Sequence, residues 1–257
     1  MFYQVVQYLK FLIKSTNQHG VHSPFVYNLV TNCFYDKKNY SDYNQILEYK
    51  KSLLKNKTVI KVNDLGVGSQ TMKLKERNVS KIAKNAGTFN KRAKLLYRLT
   101  RYLKPKNILE LGTSLGIATN ALALENPKAN ITTIEGCPYI SKFTKENFNT
   151  YYIKNINVIT GNFNDEINKL TSNTYDLIFF DGNHQKDATL NYFESLLKTA
   201  NNNSVFIFDD IYWSQGMTEA WETIKKHPKV TVTIDTFFWG FVFFRKEQVK
   251  EHFKIRF

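Results

Sequence analysis

The segment that most constrains the fold begins at Asn107, ends at Leu124 and reads NILELGTSLGIATNALAL. An apolar run compatible with a β-strand stops at the sequence GTSLG of residues 112–116, and apolar residues with helical spacing follow at once. This order predicts a strand, a tight glycine turn and a helix. In an open parallel sheet such a turn lies at the carboxyl end of the first strand, where glycine lets the backbone approach a ligand and the helix N-terminus offers unpaired N–H groups. We therefore expect a nucleotide-like ligand at this turn.

The length and composition indicate a folded protein. The chain has 257 residues, of which 42% are hydrophobic, and this is enough for a large core. No apolar run reaches the roughly 18 residues that a membrane span needs, and the first residues lack the cleavage site of a signal peptide. The two cysteines, Cys33 and Cys137, lie far apart and predict neither a disulfide framework nor a zinc site. We expect a cytoplasmic protein with no membrane partner.

The formal net charge of +14 raises the question of a nucleic-acid partner, because Lys and Arg neutralise phosphates. The lysines are spread through the whole chain and are accompanied by abundant Asn, a composition that biased base composition of the coding gene also produces. No compact basic stripe interleaved with aromatic residues is present. A nucleic-acid partner is therefore possible but not favoured.

The sequence divides into a helical extension, residues 1–77, and an α/β domain, residues 78–257. Helical patterns cover residues 2–14, 24–35 and 43–55 of the extension. We expect the extension to form a substrate cap or the surface of a homodimer. The segment HGVHSPF places His22 in a turn, where it either contacts a substrate or belongs to a structural loop. Residues 58–69 resemble a strand with a glycine loop, but polar, Lys-rich sequence follows, so we leave them outside the sheet.

After the glycine turn, strands and helices alternate in the βαβ manner. Strands are predicted at Ile131–Ile134, Asn157–Thr160, Tyr175–Phe180 and Ser204–Phe208, and polar residues follow each of them. Two last apolar runs, residues 230–238 and 241–244, flank Trp239-Gly240 and predict an antiparallel hairpin. The predicted fold is an α/β, Rossmann-like, mostly parallel sheet of seven strands.

These features together resemble a known enzyme family. The sequence ELGTSLG at residues 110–116, the acid Glu135 about twenty residues further on and the terminal hairpin are similar to class I S-adenosylmethionine-dependent methyltransferases over roughly residues 80–257. The sequences DGNH at residues 181–184 and DDIYW at residues 209–213 most resemble bacterial relatives of the metal-dependent catechol and caffeoyl-CoA O-methyltransferases. The resemblance implies in-line transfer of a methyl group from S-adenosylmethionine to the hydroxyl of a small-molecule acceptor.

The resemblance also implies which residues bind the cofactor. Glu135 would accept hydrogen bonds from both ribose hydroxyls, with Gly136 beside it; the alternative is a solvated acid at a strand end. Asn162 stands where many relatives carry an adenine-binding acid, so its amide could bond the adenine edge while Phe163 packs on the ring. The methionine part of the cofactor would be surrounded by Glu110, Gly112, Thr113, Ser114 and Gly116.

Three acids follow neighbouring predicted strands. Asp181 ends the fourth strand, and Asp209 and Asp210 end the fifth, so their carboxylates should converge above the sheet. Such acids raise one another's pKa or bind a hard cation such as Mg²⁺ or Ca²⁺. The resemblance implies a metal site here. The alternative is that Asp181 contacts the cofactor while Asp209 and Asp210 cap the next helix.

Histidine and aromatic residues complete the predicted acceptor site. His184 lies three residues after Asp181, a position similar to that of the lysine that deprotonates the acceptor in metal-dependent relatives, and an imidazole could serve as this base. A structural histidine is the alternative. Tyr212 and Trp213 follow the acids directly and are predicted to form part of the acceptor wall.

Other classes of protein stay open. The GTSLG turn also satisfies the G-x-S-x-G pattern of a serine hydrolase with Ser114 as nucleophile, although mostly helical sequence precedes the turn. An RNA- or protein-directed methyltransferase, or a non-catalytic binding protein with the same fold, is a further alternative. The Asn-Pro-Pro-Tyr type of motif of many base methylators is absent, since DGNH occupies its place.

Overall fold

The computed structural model describes residues 2–63 and 76–257. The chain folds as two compact units, one made of Met1–Tyr35 with Ile167–Phe257 and the other of Asp36–Glu166. The predicted extension, residues 1–77, is therefore divided between the two units. Its possible glycine loop, within residues 64–69, lies outside the described residues.

The described helices agree closely with the predicted helical segments. The first 29 residues contain two of them, and a π-helical turn, Val30–Phe34, prolongs the second. In chain order the helices are α1 (Phe2–Lys14), α2 (Pro24–Leu29), α3 (Tyr43–Lys55), α4 (Val79–Asn85), α5 (Asn90–Leu103), α6 (Ile117–Glu125), α7 (Pro138–Thr150), α8 (Phe163–Leu170), α9 (Lys186–Leu196) and α10 (Gln215–Lys226). Short 3₁₀ turns occupy Gln18–Gly20 and Leu197–Thr199.

The described strands include all seven that the sequence predicts. They are β1 (Val59–Lys61), β2 (Glu76–Asn78), β3 (Asn107–Leu111), β4 (Asn130–Glu135), β5 (Ile156–Thr160), β6 (Tyr175–Phe180), β7 (Ala200–Asp209), β8 (Val232–Asp235), β9 (Trp239–Phe243) and β10 (Glu251–Lys254). Strands β1 and β2 form a separate antiparallel pair, and β3 to β9 are the predicted seven.

In the unit Asp36–Glu166, three parallel strands lie in the order β3-β4-β5. Every side chain of β3 after Asn107 is buried, as expected for a strand covered on both faces. Helix α6 follows β3 with its first seven residues buried, and its alanines let it pack closely on α5. The glycine turn between β3 and α6 is thus held by a strand and a helix that are both part of the core.

In the other unit the strands lie in the order β10-β8-β9-β7-β6. Strands β6 and β7 are parallel. The predicted hairpin, β8 with β9, adds antiparallel to β7, but Trp239 and Gly240, which were expected between its strands, begin β9, and Trp239 lies opposite Asp209. Strand β10, parallel to β8, was not predicted. It is a short edge strand with one buried apolar residue, Phe253, so its sequence carries little periodic signal.

Helix α1 packs on this same unit through one face. Phe11 is buried against Phe237, with ring centroids 5.7 Å apart, and the Tyr3 hydroxyl donates to Oγ1 of Thr218 at 2.8 Å. None of the helices in the described ranges is both long and apolar enough to cross a membrane.

Candidate functional site

The glycine turn has the backbone geometry that its sequence predicts. Gly112 has φ of 109° and Gly116, the N-cap of α6, has φ of 75°, a region in which glycine is strongly favoured. A Cβ on Gly116 would also clash with the ring of Phe148 and lie 2.9 Å from Thr144. Thr144 fixes the turn further, because its hydroxyl donates to the Ser114 carbonyl at 2.7 Å.

The Glu135 carboxylate, at the end of β4, is tied to the glycine turn. Its Oε2 accepts the Ser114 N–H at 2.7 Å, and its Oε1 accepts the Cys137 N–H at 2.8 Å. Each carboxylate oxygen can accept more than one hydrogen bond. The two backbone donors therefore orient the Glu135 carboxylate, and Gly136 lies between Glu135 and Cys137 in the chain.

Glu110, in β3, is completely buried. Its Oε2 accepts the hydroxyls of Thr119 at 2.5 Å and Thr133 at 2.6 Å, whereas its Oε1 has no hydrogen-bond partner among the described residues. Burial raises the pKa of Glu110 to about 7; the two threonine hydrogen bonds oppose this shift and the charge of Glu135 adds to it.

The predicted adenine contacts lie at the start of α8. Asn162 is exposed and caps this helix, since its Oδ1 accepts the Asn164 N–H at 3.0 Å. The capping bond uses the amide oxygen and leaves the amide nitrogen as the group that could donate to a ring. Phe163 is half-buried at the first position of the helix.

Asp181, His184 and Asp209 form the group that could hold a metal ion within the described part of the chain. Their ligand atoms all lie within 4.8 Å of one another. The Nε2 atom of His184 is 3.9 Å from Oδ1 of Asp181, so both atoms could lie about 2.1 Å from one cation. Two carboxylates and an imidazole are a donor set that fits a divalent cation, with transition ions accepting the imidazole best.

The third predicted acid, Asp210, is not a member of this group. It follows Asp209 directly and has φ of 53°, and its carbonyl accepts the Trp213 N–H at 2.8 Å. The turn after β7 thus separates the side chains of the two consecutive acids. His184 takes the place that the sequence interpretation gave to Asp210.

The loop after β6 holds His184 near Asp181. Asn183 has φ of 51°, a conformation that Asn tolerates better than most residues, and its Nδ2 donates to the Tyr192 hydroxyl at 3.0 Å. Gln185 donates its backbone N–H to the Asn183 carbonyl. This tight turn brings His184 back beside the strand end.

Tyr212 lies in the protein interior, which differs from its predicted place in an acceptor wall. Its ring stacks on Phe237 with centroids 5.1 Å apart, and its hydroxyl donates to Oδ2 of Asp235 at 2.6 Å. The half-buried Lys254 contacts both groups, with Nζ 3.0 Å from the hydroxyl and 3.2 Å from Asp235. Burial, followed by the charge of Asp235, raises the pKa of the Tyr212 phenol. Trp213, by contrast, is 38% exposed.

His22, a predicted substrate contact, lies in a segment whose neighbours are far from the candidate metal group. The neighbouring Ser23 hydroxyl donates to Gln248 at 3.2 Å, and Phe25 packs on Phe243 with ring centroids 5.0 Å apart. Phe243 pairs with Val205, four residues before Asp209 in β7, which corresponds to about 13 Å of strand. The chain around His22 thus lies toward the opposite end of β7 from the candidate metal group.

Trp239 is a site residue that the sequence interpretation missed. Its indole is fully buried and donates Nε1–H to Oδ1 of Asp209 at 2.6 Å. An indole that donates to a metal-binding carboxylate in this way fixes the direction of the carboxylate's remaining lone pairs. The signal was the Trp239-Gly240 pair between two apolar runs, but only the strand register places it opposite Asp209.

Comparison with solved structures defines the class of this fold. The chain is similar to an S-adenosylhomocysteine-bound methyltransferase, PaMTH1, from Podospora anserina, with 16% identity, a TM-score of 0.62, and coverage of 88% of this chain and 97% of that chain. It is similar to an O-methyltransferase from Bacillus cereus with 20% identity, a TM-score of 0.54 and coverage of 80% and 92%. The O-methyltransferase TomG from Streptomyces achromogenes gives 15% identity, a TM-score of 0.58 and coverage of 84% and 96%. The architecture is therefore the class I, Rossmann-like methyltransferase fold.

A family model also matches part of the chain. Residues 109–211 are similar to the family model described as a methyltransferase domain. A comparison with curated proteins gave no significant match. The matched segment contains the glycine turn, Glu135, Asp181, His184 and Asp209, and it favours the methyltransferase interpretation of Ser114 over the serine hydrolase.

Proposed function

We propose that this protein transfers a methyl group from S-adenosylmethionine to the hydroxyl of a small-molecule acceptor. The observation that carries the proposal is the hydrogen bond from the Ser114 N–H to Glu135, because it joins the glycine turn to an acid suited to ribose hydroxyls. The solved relatives support this choice: one is described as bound to S-adenosylmethionine and two as bound to S-adenosylhomocysteine.

The residues of the unit Asp36–Glu166 supply the cofactor contacts in this proposal. Glu135 accepts the ribose hydroxyls, and the backbone of Gly112 to Gly116 surrounds the methionine part. Glu110, two residues before Gly112 in the chain, would support that turn from within the core. Asn162 and Phe163 serve the adenine ring. The sulfonium of the bound cofactor makes its methyl group electrophilic, so the protein chiefly aligns donor and acceptor and excludes water.

The candidate metal group would activate the acceptor. Asp181, His184 and Asp209 would hold a divalent cation, which lowers the pKa of a hydroxyl bound to it. With the cation in place, His184 serves as a ligand; without it, the imidazole can take the acceptor proton itself. The O-methyltransferases among the structural relatives support a hydroxyl as the acceptor group.

The test is methyl transfer from radiolabelled S-adenosylmethionine to a panel of phenols with vicinal hydroxyls, with Mn²⁺, with Mg²⁺ and with a chelator. We expect labelled product from at least one phenol, more with a divalent ion than with chelator, and a loss of about a hundredfold in His184→Gln. His227→Gln is the matched control, since His227 also lies near a carboxylate, 3.7 Å from Glu194, with similar side-chain exposure, 22% against 25%. Equal activity of the two variants would exclude His184 from the reaction.

A further inference from the structure

Helix α1 presents an apolar stripe to solvent. Phe2 and Ile13 are each 84% exposed, and Val5 and Leu9 lie between them at intervals of three and four residues, so all four share one face. The buried Phe11 lies on the opposite face. An exposed contiguous apolar surface of this kind marks an interaction site rather than ordinary scatter.

Two exposed aromatic side chains lie near other residues of α1. Trp213 is 38% exposed and its carbonyl accepts the Gln4 side chain of α1 at 3.1 Å. Phe238, 48% exposed, stands edge-on to Phe237, which contacts Tyr8 of α1 at a centroid distance of 4.8 Å. We call the stripe of α1 the apolar face: Phe2, Val5, Leu9 and Ile13.

Positive charge borders the apolar face. Lys10 and Lys14 are exposed and each follows a stripe residue, so both flank the stripe on one side. Arg256 reaches the same helix, with its guanidinium donating to the Leu12 carbonyl at 3.4 Å. The first 35 residues contain no Asp or Glu. The nearby acids of α10 are already paired, Glu219 with Lys186 and Glu222 with Lys225, at 2.7 Å each.

We infer that the apolar face binds the surface of an anionic lipid bilayer. A helix with an apolar stripe, lysines at its border and aromatic neighbours is suited to lie in the plane of a membrane interface, with anionic headgroups near the lysines. A second copy of the chain fits less well. The charged side chains that α1 would bring to a symmetric contact are both basic, and the segment has no acid to neutralise them.

The test is co-sedimentation of the full chain with vesicles of phosphatidylcholine alone or with about 30% phosphatidylglycerol, a fraction typical of anionic leaflets. We expect binding to the anionic vesicles and weaker binding at high salt. Leu9→Gln with Ile13→Gln should reduce the partition coefficient at least tenfold, and Lys10→Glu with Lys14→Glu should abolish the preference for anionic lipid. Val249→Gln is the control, because Val249 is 79% exposed yet lies beside Gln248, near the end of the unit where Ser23 and Phe25 pack.

Equal partitioning of the wild type and the Leu9→Gln, Ile13→Gln variant would overturn the inference. The inference would also be overturned if the wild type did not bind vesicles and light scattering showed that it forms a dimer while the variant does not. The stripe would then be a contact between two copies of the chain. Circular dichroism verifies folding of each variant. Vesicle binding needs no methyl transfer, and cofactor binding is measured without vesicles, so a failure of either proposal is distinguished from a failure of the other.

Discussion

The indole N–H of Trp239 donates to Oδ1 of Asp209 at 2.6 Å, and both residues are buried. The two strands that carry them, β7 and β9, pair antiparallel with these residues directly opposite each other. The hairpin therefore contributes to the candidate metal group without supplying a ligand.

Trp239→Phe should weaken metal binding about tenfold, because Asp209 loses the donor that orients it. The measurement is titration of the protein with Mn²⁺ followed by electron paramagnetic resonance. Trp221→Phe is the matched control: Trp221 is also fully buried, but its indole N–H has no hydrogen-bond partner within the described residues. Equal Mn²⁺ affinity of the two variants would remove the positioning role of Trp239.

Gly116→Ala should destabilise the fold by about 2 kcal/mol or more, since the new Cβ meets the Phe148 ring in a backbone conformation that favours glycine. Urea denaturation measures the change. In Gly216→Ala the new Cβ would lie 3.4 Å from Lys186, an ordinary contact near the start of α10, and we expect a change within about 0.5 kcal/mol. Similar losses in both variants would contradict the account of the glycine turn.

Glu110 should make the protein less stable as the pH rises from about 4.5 to about 7. Burial raises the pKa of Glu110 in the folded state to about 7, above its ordinary value of 4.5, so the folded state keeps a proton that the unfolded chain releases. The stabilisation is complete below the unfolded pKa and is lost through this window, amounting to about 3 kcal/mol. Urea denaturation of Glu110→Gln across pH 5 to 8 should lack this fall in the free energy of unfolding. If the free energies of unfolding of the variant and the wild type changed with pH in parallel, the raised pKa of Glu110 would be contradicted.

Tyr212→Phe should lower the free energy of unfolding by about 1 kcal/mol and leave the KM for an acceptor unchanged. The substitution removes the hydrogen bond to Asp235 but keeps the ring stacked on Phe237. Thermal denaturation and steady-state kinetics measure the two effects. A several-fold rise in KM with unchanged stability would indicate that Tyr212 contacts the acceptor, as the sequence predicts.

The sequence predicts the fold well where the pattern is local. The apolar run before GTSLG and the helical pattern after it define β3 and α6, because glycine chemistry and periodicity act over a few residues. Strand β10 was not predicted, because the sequence of an edge strand with one buried residue has almost no hydrophobic periodicity. The separation of Asp209 from Asp210 was equally hidden, since it depends on the left-handed backbone of Asp210.

The site was less predictable because partners distant in sequence complete it. Asp181 and Asp209 follow strand ends and could be anticipated together, but Trp239 reaches Asp209 only through the hairpin register. Tyr212 and His22 have the residue types of an acceptor site, yet Asp235 and the packing around Phe25 determine where they lie. Residue type indicates which chemistry is possible, and tertiary contacts decide which side chains are available for it.

Calorimetric titration of S-adenosylmethionine into the wild-type protein tests the central claim most directly. We predict binding of one molecule per chain and a loss of at least tenfold in affinity in Glu135→Gln, because the amide cannot replace both charged acceptor oxygens. Glu146→Gln, at an exposed position of α7, should bind like the wild type. An absence of binding to the wild type, or equal affinities of the two variants, would contradict the assignment of this turn to the cofactor.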